Sequence, residues 1–150
     1  MALEPVKVRI KLDNIACYHS GEPGSAEPYM WTVFFKIDGD TVSVDDTGQA
    51  QGTATVIGSL GDHGDLGPGG VNDGDTVSIP AGLGEWSTTL TPIPFPSLST
   101  SLAGVVGCVV VLLEQDDTSD EAVAAGHAAL NEALQSALND LITHLNINHP

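Results

Sequence analysis

The amino-acid sequence predicts a mainly β fold, an antiparallel β-sandwich with one amphipathic α-helix at its C-terminal end. Two observations predict this class: short apolar or alternating segments are separated by turns rich in Gly and Pro, and no helical pattern interrupts them before residue 118. A chain of 150 residues is also long enough to bury a core as one domain. We therefore expect residues 1–117 to form the sandwich and residues 118–150 to form a helix and tail packed on the same domain.

The N-terminal half of the chain contains three predicted strands. In VKVRIKL, residues 6–12, apolar and basic residues alternate, which is typical of a strand with one buried face. YMWTVFFKI, residues 29–37, is rich in aromatic and β-branched residues and predicts a more deeply buried strand. A weaker strand is predicted at residues 52–60, and the glycines of residues 61–75 predict a loop.

The C-terminal half continues the β pattern. Residues 76–80 and 85–93 predict short strands, and PIPFPS, residues 92–97, has so many prolines that it fits only a connector or an edge strand. GVVGCVVVLL, residues 104–113, shows no alternation, which predicts a central strand covered on both faces.

From residue 118 onward, apolar residues recur at spacings of three and four, which predicts one amphipathic helix of about 25 residues. TSDE, residues 118–121, fits a capping box in which Thr118 accepts from the backbone N–H of Glu121. The apolar stripe of this helix is too apolar to face water, so it buries either against the sheet of its own chain, which we expect, or against a neighbouring molecule. Its members are Val123, His127, Leu130, Leu134, Leu138, Leu141 and Leu145.

The chain is strongly acidic, with 20 Asp and Glu against 4 Lys and Arg and a formal net charge of −16. Nucleic acid is not an expected partner, because neutralising phosphates requires a basic surface. An anionic membrane repels the chain unless bound calcium reverses the local charge. The sequence contains no secretory signal and no apolar run long enough to span a membrane, so we expect a cytoplasmic protein with Cys17 and Cys108 as thiols.

All four cations lie near the N-terminus, and Lys7, Arg9 and Lys11 share one face of the first predicted strand. This basic stripe either pairs with Glu132 and Asp140 of the predicted helix or docks on an acidic surface of another copy. The internal pairing is the expected arrangement.

The loop after the last predicted strand, LLEQDDTSDE at residues 112–121, is the first of two acidic loops. Helix capping accounts for Asp120 and Glu121, because acids in the first turn suit the positive end of the helix dipole. Capping does not account for the other three acids, which repel one another unless water, a Lys or a cation lies between them. These three are Glu114, Asp116 and Asp117.

The second acidic loop is GEPGSAEPYM, residues 21–30, in which Glu22 and Glu27 lie on a Gly- and Pro-rich turn before the aromatic strand. Carboxylate oxygens on flexible loops are the ligands that Ca²⁺ prefers, and it takes six to eight of them. The two loops together offer enough oxygen atoms for one ion.

Both loops resemble the calcium loops of C2 domains, β-sandwiches that bind Ca²⁺ at one end. GEPGSAEPYM is similar to the first loop of that family, which has an acid, a glycine and an acid-Pro-Tyr sequence before a strand. LLEQDDTSDE is similar to the last loop, and GEWSTTLTPI, residues 84–93, looks like the Trp strand, with Trp86 in the core. The resemblance implies a C2-like sandwich and a Ca²⁺ site. The implied and candidate ligands are Glu22, Glu27, Glu114, Asp116, Asp117 and Asp120.

The Gly-rich loop carries a further group of polar residues, which either ligate a cation or, as we expect, simply form solvated turns. They are Asp62, His63, Asp65, Asp73 and Asp75. Catalytic motifs are missing from the sequence: there is no Gly-x-Ser-x-Gly and no phosphate loop, and both cysteines lie within or beside apolar strand segments with no histidine that the sequence recommends as a catalytic partner. We expect no enzymatic activity, and we expect His127 to be a hydrogen-bonded core or boundary residue.

These observations predict a non-enzymatic binding module whose acidic loops interact with a protein partner or surface in a calcium-dependent way. The alternative is a structural subunit of a larger homo- or hetero-oligomeric assembly, with the basic stripe and the helix as contacts. Stabilisation by calcium would identify the first, and a high mass in solution regardless of calcium would identify the second.

Overall fold

The computed structural model describes residues 3–21, 24–59, 61–66, 69–96 and 99–147. This part of the chain is mainly β, with several antiparallel sheets and one long C-terminal helix, which confirms the predicted fold class. The strands are β1 (Val6–Lys11), β2 (Asn14–Ala16), β3 (Pro28–Ile37), β4 (Val42–Val44), β5 (Ala50–Gly52), β6 (Thr55–Gly58), β7 (Thr76–Ser78), β8 (Glu85–Leu90), β9 (Ile93–Phe95), β10 (Thr100–Leu102) and β11 (Val105–Glu114). The helices are α1 (Ala81–Gly84) and α2 (Asp120–His144).

β3 is the centre of a three-stranded sheet, with β11 on one side and β6 on the other. Its aromatic and β-branched residues fit a pleated surface covered on both faces, and Met30, Val33 and Phe34 are buried. The deep burial predicted for this strand is confirmed. The weaker strand predicted at residues 52–60 is divided between the end of β5 and β6, because the chain first forms a separate hairpin of β4 and β5.

β11 is not the central, doubly covered strand that the sequence predicts. Among the described strands it pairs only with β3, and Val105, Val110 and Leu112 are exposed. The prediction was wrong because an apolar run without alternation indicates that both faces are apolar, not that both are covered. Here the second layer of the fold stops short of this edge.

That second layer lies on one face of the central sheet. β1 pairs with β8 and β2 with β7, all antiparallel. Trp86 of β8 packs on Phe34 of β3, with 5.8 Å between the ring centroids. The apolar face of β1 is only half-buried and Val6 is exposed, so the strand carries the predicted alternation at the margin of the core.

α2 covers the opposite face of the central sheet. Trp31 of β3 stacks on His127, with 5.4 Å between the ring centroids and 2° between the planes. Gly126 allows this approach, since a Cβ at that position would lie 2.7 Å from the Trp31 ring. Ile142 fills the core beside Phe95. The predicted helix length is confirmed at 25 residues.

The buried stripe of α2 differs from the predicted one. Val123, His127 and Ile142 are buried, Leu130, Leu134 and Leu138 are half-buried, and Leu141 and Leu145 are exposed. Polar side chains in the second half of α2 contact the backbone between β5 and β6. The Ala54 N–H donates to Asn139 Oδ1 at 2.9 Å, and Gln135 Nε2 donates to the Ala54 carbonyl at 2.9 Å. An unpaired backbone segment requires such partners, and a leucine cannot supply them.

The helix begins one residue later than the predicted capping box. Ser119 is the N-cap, and its hydroxyl accepts from the Ala122 N–H at 3.3 Å. The Thr118 hydroxyl instead donates to the Asp116 carbonyl at 2.7 Å. The predicted cap at Thr118 was therefore wrong, since both residues are good caps and only the backbone path distinguishes them.

The basic stripe pairs internally, but not with the helix acids Glu132 and Asp140. Arg9 contacts Glu85 on the adjacent strand at 2.6 Å, and Lys11 pairs with Asp13. These partners are neighbours of β1, whereas α2 lies on the far face of the central sheet. No helix in the described part of the chain is long and apolar enough to cross a membrane.

Candidate functional site

The two acidic loops meet at one end of the central sheet. Glu114 lies opposite Pro28 in the β3–β11 register, and the Gln115 N–H donates to the Glu27 carbonyl at 3.0 Å. The loop before β3 and the loop after β11 are thereby joined by their backbones. We define the acidic rim as Glu27, Glu114, Asp116 and Asp117.

Within the acidic rim, Glu114 is half-buried and the other three side chains are exposed. Asp117 has a φ of 34°, in the left-handed region that non-glycine residues seldom adopt. Together with the hydrogen bond from Thr118 to the Asp116 carbonyl, this forms a tight turn between β11 and α2. Glu114, Asp116 and Asp117 therefore lie at or within a short turn between the end of β11 and the start of α2.

Two predicted ligands are not included in the acidic rim, for different reasons. Glu22 lies outside the described residues. Asp120 is exposed, but its carboxylate contacts His63 Nδ1 at 2.8 Å, and the His63 side chain is only 10% exposed. Asp120 therefore fastens the start of α2 to the Gly-rich loop.

A histidine and aromatic cluster lies beside this contact. Tyr29 meets the His63 ring edge-to-face, with 4.9 Å between centroids, and Tyr29 meets Trp31 similarly at 6.2 Å. With the Trp31–His127 stack, the four rings form one continuous group between the sheet, the loop and the helix. Tyr29 and Trp31 share a face of β3 because they are two residues apart, and this is the one sequence signal for the cluster.

The histidine nitrogens of this cluster are enclosed. Burial lowers the pKa of His127, and a weaker attraction from Asp62 opposes that shift. Among the described residues, neither His127 Nε2 nor His63 Nε2 has a hydrogen-bond partner. The predicted hydrogen bond of His127 is therefore missing at this nitrogen, and stacking on Trp31 takes its place. Burial thus favours the neutral imidazole at His127.

The acids of the Gly-rich loop mainly accept backbone hydrogen bonds. Asp73 accepts from the Ser20 N–H at 2.7 Å, Asp75 from the Asn72 N–H at 2.8 Å, and Asp65 from the Asp62 N–H at 3.1 Å. Burial raises the pKa of Asp65. These contacts agree with the expectation that the loop acids form turns.

Within residues 3–21, 24–59, 61–66, 69–96 and 99–147, no three His, Cys, Asp or Glu side chains are grouped closely enough to hold a metal ion. The structure brings the backbones of the two acidic loops together without converging their carboxylates. The calcium ligands therefore stay a prediction.

Comparison of the chain with protein-family models, curated proteins and solved structures gives no match. The resemblance to C2 domains rests on the residue patterns of the two acidic loops and the Trp strand.

Proposed function

We propose that the chain is a non-enzymatic binding module whose acidic rim takes Ca²⁺ and thereby engages a protein partner. The observation that carries this proposal is the hydrogen bond from the Gln115 N–H to the Glu27 carbonyl, 3.0 Å long. It fixes the two loops at the same end of the sheet, so the residues that carry the four rim carboxylates lie at that end.

The charge distribution supports the same proposal. All four cations are elsewhere: three lie on β1, and Lys36 is buried near the far end of β3, where it contacts Asp38 at 2.8 Å. The rim acids therefore have no Lys or Arg to neutralise them. Like charges at one end of the sheet repel one another, and the repulsion is stronger near a protein surface than in bulk water. A divalent cation with oxygen ligands relieves this repulsion.

Thermal unfolding with and without calcium tests the proposal. Free calcium at about 100 times the dissociation constant should stabilise the fold by about 2.7 kcal/mol, which corresponds to several degrees in melting temperature. Asp116→Asn should remove most of that shift, because it deletes one negative charge and one ligand oxygen from the rim.

Asp46→Asn is the matched control. Asp46 is an exposed acid in the β4–β5 hairpin, and this hairpin contacts the C-terminal end of α2, whereas the rim lies at its start. The helix is about 37 Å long at 1.5 Å per residue, so Asp46 is remote from the rim. The Asp46 variant should keep the full calcium shift. A wild-type melting temperature that millimolar calcium leaves unchanged would reject the proposal.

A second candidate function, a structural subunit of an oligomeric assembly, is favoured by a different surface. Val105, Leu141 and Leu145 are exposed around an apolar cavity of about 170 Å³. Contiguous exposed apolar residues are typical of protein interfaces. Light scattering in EDTA distinguishes the two: an assembly subunit should have a mass above one chain without calcium, and Leu141→Lys should reduce it.

A further inference from the structure

The outer edge of β11 offers a row of unpaired backbone groups. In an antiparallel pair, the N–H and C=O of successive residues point alternately toward and away from the partner strand. The Gln115 N–H donates to the Glu27 carbonyl, and these two residues form the next pair of the β3–β11 register after Glu114 and Pro28. The N–H and C=O groups of odd-numbered residues of β11 therefore point toward β3, and those of even-numbered residues point outward. The outward residues are Val106, Cys108, Val110, Leu112 and Glu114.

The bonding of β3 agrees with this assignment. The Ser59 N–H donates to the Thr32 carbonyl at 2.8 Å, so Thr32 points toward the β6 side of β3. Thr32 lies opposite Val110, and in such a non-bonded pair Val110 points outward. Among the described residues no backbone bond to the outer edge of β11 is formed.

The same residues present their side chains to an uncovered surface. Cys108 lies opposite Phe34 and therefore on the face toward β8, as do Val110 and Leu112. The second layer does not reach the last two, and Val110 is 42% and Leu112 55% exposed. An unpaired backbone edge and an apolar face are thus available on one strand.

A groove adjoins this edge. It has a volume of about 520 Å³ and runs between residues 15–20 and the end of β11, with apolar walls that include Ile15, Val71 and Leu112. Glu114 lies at its end and is the one Asp or Glu among its described lining residues; none of them is Lys or Arg. His19, which also lines it, is held by Asp73 at 3.1 Å.

We propose that the outer edge of β11 and this groove bind an extended segment of another protein, apolar at alternate residues and carrying Lys or Arg next to Glu114. Strand addition satisfies the outward N–H and C=O groups and covers Val110 and Leu112. Charge favours a basic partner over a second copy of this chain. Glu114 and the neighbouring rim attract a cation, whereas a second copy, with a net charge of −16, would be repelled. The inference deepens the proposed function, since it names the surface and the class of its protein partner.

A short synthetic peptide tests the proposal in EDTA, which separates it from the calcium experiment. The probe is a fluorescent peptide of alternating Val and Thr with a Lys at each end, and its binding to the intact chain is followed by fluorescence anisotropy. Two further peptides carry N-methyl groups, one on every Val and one on every Thr. At least one methylated peptide should bind tenfold or more weakly, because methylation removes the donors facing β11. Equal binding of all three peptides would contradict strand addition.

Two protein variants locate the site. Leu112→Lys should weaken binding tenfold or more, because it places a cation on the edge and removes apolar contact. Ile57→Lys is the matched control, since Ile57 is 42% exposed on β6, at the opposite edge of the central sheet, and the change should leave binding unchanged. Peptides with Glu in place of both Lys should bind several-fold more weakly, and Glu114→Gln should reduce that preference. Equal effects of Leu112→Lys and Ile57→Lys, or a preference for the Glu peptide, would overturn the proposal.

The remaining outcomes are distinguishable from failure of the calcium proposal. Peptide binding in EDTA supports the strand-addition site even if calcium has no effect on melting. A calcium shift without peptide binding overturns the site and leaves the calcium proposal standing. A concentration-dependent dimer that Leu112→Lys dissociates would mean that a second copy occupies the edge, and this too overturns the proposal.

Discussion

At the scale of single residues, the burial of His127 makes the stability of the fold depend on pH. Burial lowers its pKa below the ordinary value of 6.5, so the folded state binds the proton less readily than the unfolded state. Its contribution to stability is therefore present above about pH 6.5 and is lost as the pH falls through the folded pKa. Urea unfolding between pH 7.5 and 5 should show this loss.

The matched variants for this prediction are His127→Phe and His144→Gln. Phenylalanine keeps a ring against Trp31 and has no proton to bind, so its stability should vary less over this pH range. His144 is exposed at the end of α2, and its replacement should leave the pH dependence of the wild type. If the His127 variant loses stability with falling pH as steeply as the wild type, another group is responsible.

The sequence placed His127 on the buried side of the helix but did not reveal what it contacts. A spacing of three or four identifies a helix face from a few neighbouring residues, whereas the stack with Trp31 depends on where two distant segments meet. The His63–Asp120 contact was missed for the same reason. Neither residue has a local pattern that names the other as its partner.

At the scale of elements, the start of α2 gives a test between adjacent residues. Ser119→Ala should cost about 1 kcal/mol, because it removes the acceptor for the Ala122 N–H. Thr118→Ala should cost less, since the Thr118 hydroxyl contacts the Asp116 carbonyl outside the helix. Chemical denaturation of both variants gives the comparison. A larger loss for the Thr118 variant would place the cap where the sequence pattern predicted it.

The burial of α2 gives a second test between neighbours. Ile142 is buried in the core, so Ile142→Ala should cost about 2–5 kcal/mol. Leu141 is exposed, and Leu141→Ala should stay within about 0.5 kcal/mol of the wild type. Urea unfolding midpoints would reveal the contrast. Equal losses would mean that Leu141 is covered in solution, as in an oligomer.

Elements were predicted best where the signal is local. The helix was found nearly to the residue, and the aromatic strand β3 and the alternating strand β1 were found by composition and period. Two features could not be predicted. The three-residue strands β4 and β5 are too short for a period, and the exposure of β11 depends on where the opposing layer ends. For the site, the sequence named the rim acids, and the β3–β11 pairing joins their loops.

At the scale of the whole molecule, the sheet depends on its helix. α2 covers Trp31, fills the core with Ile142 and supplies partners for the Ala54 backbone. A chain ending at Thr118 should therefore lose its folded core and aggregate, as measured by light scattering and NMR dispersion. A monomeric, well-dispersed truncated chain would show that the helix is dispensable for folding and serves another contact.

The pairing of β3 with β11 also has a consequence for synthesis. The ladder joins residues 28–37 to residues 105–114, and the covering helix follows later still. Contacts between such distant segments form slowly, because loop closure must precede any gain in contact energy. On the ribosome, the aromatic strand β3 waits without its main partner β11 until most of the domain has been made. During that interval, its protection against other nascent chains has to come from the acidic segments around it or from chaperones.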